Sequence, residues 1–155
     1  MLDNNEYILV TGGAGYIGSH CVLSLLNHGF SVVIFDNLST GHIETVETLK
    51  NFGNVKFYQG DLLNSENLKN LFKCVNISSV VHFAAFSQVG ESVKNPQKYY
   101  INNVCGTINL LKVMLENNIK KIDFSLALRG SCNQWIWEKD EEGNWDINMQ
   151  KYDKN

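Results

Sequence analysis

The stretch Thr11-Gly12-Gly13-Ala14-Gly15-Tyr16-Ile17-Gly18 decides how this chain is read. Before it lies Tyr7-Ile8-Leu9-Val10-Thr11, a short β-branched and apolar run that reads as a strand. After it, over residues 16–28, Ile17, Cys21, Val22, Leu25 and Leu26 recur at helical spacing, and Gly29 closes the helix. Gly12, Gly15 and Gly18 therefore occupy a strand-to-helix connection. A glycine triplet alone is weak, but this context gives each glycine a task. Gly12 allows the tight turn. Gly15 lets a diphosphate approach the backbone with no Cβ in the way, and Gly18 lets helix and strand pack closely. The free amides of the first helical turn then face the anion with about half a unit of positive charge.

Working outward, strands and helices alternate as far as residue 125. Ser-Val-Val-Ile-Phe-Asp, residues 31–36, reads as a second buried strand. A weaker helix follows with Ile43, Val46, Leu49 and Phe52 three apart, then a third strand over Val55–Gln59. Asn64 can cap a helix carrying Leu68, Leu71, Phe72 and Val75. Residues 79–84 read as a fourth strand. Asn95-Pro96 opens a long helix, 96–118, with proline at its first position and Tyr100, Val104, Ile108, Leu111 and Leu115 as the expected buried stripe. Residues 121–125 supply a fifth strand, in which Asp123 would be a buried carboxylate that costs several kcal/mol if unpaired. Strands apolar on both faces, alternating with amphipathic helices, imply an α/β fold: a doubly wound, Rossmann-like parallel sheet, here truncated after about five strands.

Asp36 stands at the carboxyl end of the second strand, 18 residues after Gly18. A carboxylate there can accept hydrogen bonds from adenosine ribose hydroxyls and would repel a 2′-phosphate. No arginine occurs in residues 37–42 to hold such a phosphate, so NAD is expected rather than NADP. Asp61, in Gly60-Asp61-Leu62, ends the third strand near where adenine should sit, although a turn aspartate is the plain alternative. Phe83-Ala84-Ala85 ends the fourth strand, and ligands in such folds bind beyond the carboxyl ends of strands. His82, inside an apolar strand, reads as a satisfied core histidine. Asn103 needs partners, from the protein or from a ligand.

Composition narrows the field. The 155 residues suffice for one core, and 44% apolar with 19% charged residues is the range of a soluble globular protein. A net charge of −3 gives no footing for nucleic acid or an anionic membrane. The start, Met1-Leu2-Asp3-Asn4-Asn5-Glu6, is not a signal peptide, and no apolar window is long enough to span a bilayer. Cys21, Cys74, Cys105 and Cys132 form no Cys-x-x-Cys pair. The first three lie in apolar periodic segments and read as buried thiols of a cytoplasmic protein, with no metal site.

These segments together resemble the extended short-chain dehydrogenase/reductase superfamily, and within it the NAD-dependent epimerases and dehydratases of the UDP-glucose 4-epimerase kind. The resemblance rests on residues 10–20, on Phe35-Asp36-Asn37-Leu38-Ser39, on Gly60-Asp61-Leu62, and on Val81-His82-Phe83-Ala84-Ala85 with Val89-Gly90-Glu91-Ser92-Val93-Lys94-Asn95-Pro96 and Tyr99-Tyr100-Ile101-Asn102-Asn103-Val104. It covers roughly residues 5–125, and the stretch around 89–93 separates such epimerases from other members. It implies that Gly12, Gly15, Tyr16, Ile17 and Gly18 line the pyrophosphate and that Asp36 and Asn37 meet the adenosine ribose. It further implies that Asp61 and Leu62 flank adenine, that Phe83, Ala84 and Ala85 line the nicotinamide half, and that Asn103 reaches toward that half. The reaction so implied is an isomerisation in galactose and nucleotide-sugar metabolism. UDP-glucose and UDP-galactose interconvert through a 4-keto sugar while bound NAD takes up and returns the hydride. The base is a tyrosine whose pKa is lowered by a lysine four residues on.

No such pair exists in this chain. Four residues beyond Tyr7, Tyr16, Tyr58, Tyr99 and Tyr100 stand Thr11, His20, Leu62, Asn103 and Val104, and Tyr152 has no residue at that distance. Where the family places a hydroxyl-rich run after its fifth strand, this chain has Leu126-Ala127-Leu128-Arg129-Gly130. No catalytic residue is therefore assigned. Residues 1–125 are expected to form the NAD-binding domain and 126–155 a divergent tail. That tail contains Trp135, Trp137 and Trp145; it is either a hairpin pairing 135–139 with 145–149 or a disordered segment. Three readings stand beside each other: an epimerase lineage inactive as this chain alone, an NAD-binding module or pseudoenzyme, and a truncated non-functional gene product. The resemblance also implies UDP-sugar as a ligand and a homodimer packed through the 96–118 helix.

Overall fold

In the computed structural model, residues 6–124, 137–139 and 145–147 are described. Five parallel strands, β1 (Tyr7–Thr11), β2 (Val32–Asp36), β3 (Val55–Gln59), β4 (Ile77–His82) and β5 (Ile122–Phe124), form one sheet in the order β3-β2-β1-β4-β5. The alternation of side chains along each strand feeds two cores. Leu9, Val33, Phe35 and Val80 face one side, with α3 (Ser65–Cys74) and α6 (Gly106–Glu116) supplying Leu68, Leu71, Phe72, Leu110, Val113 and Met114. Val10, Val32 and Ile34 face the other, under α1 (Tyr16–Asn27) and α2 (Ile43–Leu49), which add Val22, Leu26, Val46 and Leu49. Central strands buried on both faces explain the unbroken apolar runs of the sequence. The strand order reverses between β1 and β4, so the loops leaving these two strands diverge and open a crevice at their carboxyl ends.

The local devices are those the sequence offered. Asn64 caps α3 by accepting from the Glu66 amide at 3.1 Å, and Asn95 caps the short helix α5 (Pro96–Tyr99) by accepting from Lys98. Gly29 leaves α1 at φ +81°, in the left-handed region. In the tail, Trp137–Lys139 (β6) pairs antiparallel with Trp145–Ile147 (β7), with Glu138 opposite Asp146.

Three expectations about these elements change, and one segment left without an assignment gains one. β4 runs over Ile77–His82, two residues earlier than expected, which leaves Phe83, Ala84 and Ala85 in the loop beyond the sheet. Residues 89–93 fold as part of a short helix, α4 (Val89–Lys94). The helix expected over 96–118 is interrupted by a π-helical segment, Tyr100–Cys105, before α6 continues. Its buried side is also largely the other one; of the expected stripe only Leu111 packs against the core. Tyr99, Asn103, Gly106, Leu110, Val113 and Met114 face inward, whereas Tyr100, Val104, Ile108 and Leu115 are exposed. The inward side must approach closely: a Cβ on Gly106 would lie 3.1 Å from that of Leu62. Small and polar residues meet that requirement, and apolar periodicity does not register them.

Asp123 is exposed on β5, an edge strand of the sheet, so the burial cost expected of it does not arise. Cys74 and Cys105 are likewise exposed, because their helices turn Leu71, Phe72 and Asn103 inward instead. Cys21 is half-buried; burial, and secondarily the Asp123 charge, pushes its thiol pKa up. Cys132 lies outside the described residues.

Candidate dinucleotide-binding site

The crevice is a groove of about 360 Å³ walled by Gly12, Gly15, Tyr16, Ile17 and Gly18 on one side and by Asp36, Asn37, Gly60, Asp61 and Leu62 at one end. Phe83, Ala84, Ala85, Phe86, Ser87 and Asn102 wall the opposite end. Twelve of the thirteen residues singled out from sequence thus share one surface. The thirteenth, Asn103, does not.

The glycine loop is shaped by backbone contacts that leave no room for side chains. Gly12 adopts φ +70°, its amide donates to the Phe35 carbonyl at 2.9 Å, and a Cβ there would sit 2.7 Å from the Ala84 nitrogen. A Cβ on Gly18 would run into the Gly12 carbonyl. Gly15 is the N-cap of α1 and offers no side-chain cap; the first backbone bond of the helix is Ser19 N–H to the Gly15 carbonyl, 2.9 Å. The amides of Tyr16, Ile17 and Gly18 lie ahead of that bond and have no intrahelical acceptor. The first turn carries no acidic residue either, so nothing on the helix competes for an anion.

Two carboxylates organise the opposite rim. Asp36 is buried; one oxygen accepts from the Ala14 amide at 3.0 Å, the other from the Leu38 amide at 2.8 Å. It therefore ties the glycine loop to the end of β2. Asp61 accepts from the Leu63 amide at 2.8 Å and from the Asn37 side chain at 3.0 Å, while Asn37 in turn accepts from the Ser39 amide. Each carboxylate oxygen can accept more than one bond, so both residues keep acceptor capacity toward the groove.

At the far end, Asn103 is buried and committed to the loop. Its carbonyl oxygen accepts from the Phe86 amide at 2.9 Å and its amide donates to the Phe86 carbonyl at 3.0 Å. Its neighbour Asn102 is the one in the groove wall, donating to the Asn103 side chain at 2.9 Å. The sequence reading missed Asn102, and with it Phe86, Ser87, Ser39, Thr40 and Gly60. The adjacent asparagines offered a signal, but which one faces inward depends on the phase of the π-helical segment.

His82 is fully buried and fully partnered. Nδ1 lies 2.5 Å from the Thr11 hydroxyl and Nε2 2.9 Å from the Thr107 hydroxyl, with the Phe124 ring edge-on. Burial pushes its pKa down to about 4, which makes it a neutral core histidine.

A parallel 3-2-1-4-5 sheet with a glycine-turn groove at its switch point defines a Rossmann domain of the kind that holds a dinucleotide. The model of the GDP-mannose 4,6 dehydratase family matches residues 9–127, and the chain belongs to that family of nucleotide-sugar dehydratases and epimerases. UDP-glucose 4-epimerase from Halalkalibacterium halodurans is 53% identical over 118 residues, 76% of this chain and 34% of that protein. Bifunctional protein gal10 from Schizosaccharomyces pombe is 49% identical over 127 residues, 81% of this chain and 18% of that protein. Among solved structures, UDP-glucose 4-epimerase from Bifidobacterium longum in complex with NAD+ and UDP superposes with a TM-score of 0.75 at 42% identity, covering 77% of this chain and 36% of that one. The chain thus spans about a third or less of the length of these relatives.

Proposed function

We propose that this chain is the NAD-binding portion of a UDP-glucose 4-epimerase lineage, and that it holds NAD without epimerising UDP-sugars on its own. The carrying observation is the convergence of three free amides at the start of α1, Asp36, and the loop at 83–87 on one groove. The residues fit the cofactor: a Cβ at Gly12 or Gly18 would collide with backbone, so the loop is kept bare where a diphosphate must approach. Tyr16, Ile17 and Gly18 would hold the diphosphate, Asp36 and Asn37 the adenosine ribose, and Asp61 and Leu62 the adenine. Phe83, Ala84, Ala85 and Asn102 would hold the nicotinamide half. Bound NAD supplies the means of taking a hydride from a sugar carbon and giving it back.

What the chain's own residues do not supply is the proton transfer. The lack of a Tyr-x-x-x-Lys pair anywhere in the 155 residues supports inactivity of this polypeptide alone. UDP-glucose and UDP-galactose remain the nominal substrates of the lineage. In this reading residues 1–125 are the NAD-binding unit and 126–155 a divergent tail. A cytoplasmic setting is part of the same proposal; among the described residues no helix is long and apolar enough to cross a membrane.

Two measurements on the full chain test the reading. Isothermal titration should show NAD binding at micromolar concentrations, and an assay converting UDP-galactose to UDP-glucose should show negligible turnover. A folded chain that ignores NAD in large excess would remove the first half. Turnover near that of a full-length relative would remove the second.

A further inference from the structure

One hydrogen-bond path, buried between Thr11 and His82 and part-buried elsewhere, begins and ends on the same loop. From Ala84, whose amide lies 3.5 Å from the Thr11 hydroxyl, it passes through Thr11, His82 and Thr107 to the Asn103 carbonyl. The Asn103 side chain then holds both the amide and the carbonyl of Phe86. The ring thus closes on residues 84 and 86, in the groove wall, and joins the ends of β1 and β4 to the π-helical segment.

The proton inventory of this ring has one solution. A threonine hydroxyl has a single proton, and that of Thr107 goes to the Asn103 carbonyl at 2.5 Å. Thr107 can then only accept from His82, so Nε2 carries the imidazole proton. Nδ1 is left as an acceptor and must receive the Thr11 proton. The Thr11 oxygen is thereby free to accept from the Ala84 amide. Every bond from the Ala84 amide to the Asn103 backbone carbonyl points the same way, and reversing the tautomer would leave two acceptors, Nε2 and the Asn103 carbonyl, facing the single Thr107 proton.

We propose that His82 is a positioning residue for the cofactor wall: as the Nε2–H tautomer it registers the loop at 83–86 against β1 and the π-helical segment, and so sets the affinity for the nicotinamide half of NAD. This rests on the reading of the groove as an NAD site. His82 itself is buried and touches no ligand, so its effect runs through Thr11 and Asn103. The π-helical geometry belongs to the same device. Thr107 bonds back to the carbonyl four residues earlier, which places Asn103 over Phe86 while Asn102 turns to the groove.

The experiment uses the full chain and two probes. On the reading of the groove as an NAD site, NAD would span its whole length, whereas ADP would reach only the glycine loop, Asp36 and Asp61. In Thr107→Val and Thr11→Val, NAD should bind about tenfold more weakly, as expected for one lost hydrogen bond, with ADP affinity unchanged. Thr107→Ser, which keeps the hydroxyl, should restore NAD binding. Equal losses for NAD and ADP, or no loss for either, would overturn the positioning role. If the valine variants do not fold, nitrogen NMR of the wild-type imidazole decides: a proton on Nδ1 of His82 contradicts the ring, and one on Nε2 supports it. Failure of the underlying reading looks different, since the wild-type chain would then bind neither probe.

Discussion

At Asp36 one carboxylate oxygen takes the Ala14 amide and the other the Leu38 amide, so the residue braces the glycine loop before any ligand arrives. Leu38 sits at φ +59°, a left-handed conformation that is costly for a branched side chain and is held there by this bond. Asp36→Asn keeps one acceptor but turns an N–H group toward the other amide. It should cost about 1–3 kcal/mol of stability, read by urea denaturation, and weaken NAD binding as well. His82 makes a pH prediction. Its folded pKa is lowered to about 4, against 6.5 when unfolded, so the unfolded chain binds the extra proton first as pH falls. The stabilisation is fully present above about pH 6.5 and is lost progressively toward pH 4, on the order of 3 kcal/mol in all. The groups packed on the ring, Thr11, Thr107 and Phe124, do not titrate, so the slope belongs to the imidazole. Denaturation at pH 7 and 5.5 should differ by roughly 1 kcal/mol from this source, and His82→Phe should lose that difference.

At the level of elements, the strand–glycine–helix unit was legible because its constraints are local. Gly18 shows why: a Cβ would press on the Gly12 and Gly13 backbone, which no side-chain adjustment can relieve. Gly18→Ala should therefore lower both thermal stability, by about 1–3 kcal/mol, and NAD affinity, whereas alanine at Gly90, where a Cβ meets nothing, should leave both unchanged. What stayed hidden depended on tertiary contact. The helix beyond Pro96 is apolar around much of its circumference, and periodicity alone picks the stripe Tyr100, Val104, Ile108, Leu111 and Leu115, most of which lies outside. The inward one was chosen by Gly106 fitting under Leu62 and by Asn103 and Thr107 reaching the loop and His82. Asn102 was overlooked in favour of Asn103 for the same reason. β4 was placed two residues late because Phe83 and Ala84 continue its apolar run, although they are already groove wall. Tyr99 and Lys98 both meet Glu91, at 2.9 and 2.6 Å, an arrangement that anchors the exposed helix α4 and that no local pattern announced.

For the whole molecule, the outward face of the π-helical segment and α6 is the feature the fold leaves unexplained. Tyr100 is 69% exposed and Leu115 75%, with Ile101, Val104 and Ile108 between them along the same stretch of chain. Single exposed apolar residues are ordinary, but five on one helical stretch form an apolar face that the described residues leave open. We propose that the homodimer implied by the family resemblance would use this face, two copies packed along it burying the stripe. Introducing charge tests this without touching the core, because Ile108 and Leu115 lie away from the inward residues Leu110, Val113 and Met114. The wild-type chain should associate with rising concentration in sedimentation velocity. The double variant Ile108→Glu, Leu115→Glu should sediment as a monomer while its NAD affinity is unchanged, since neither residue lines the groove. A wild-type chain that stays monomeric across the same concentrations would remove the dimer reading, and it would leave the groove assignment standing, because none of the five stripe residues lines the groove.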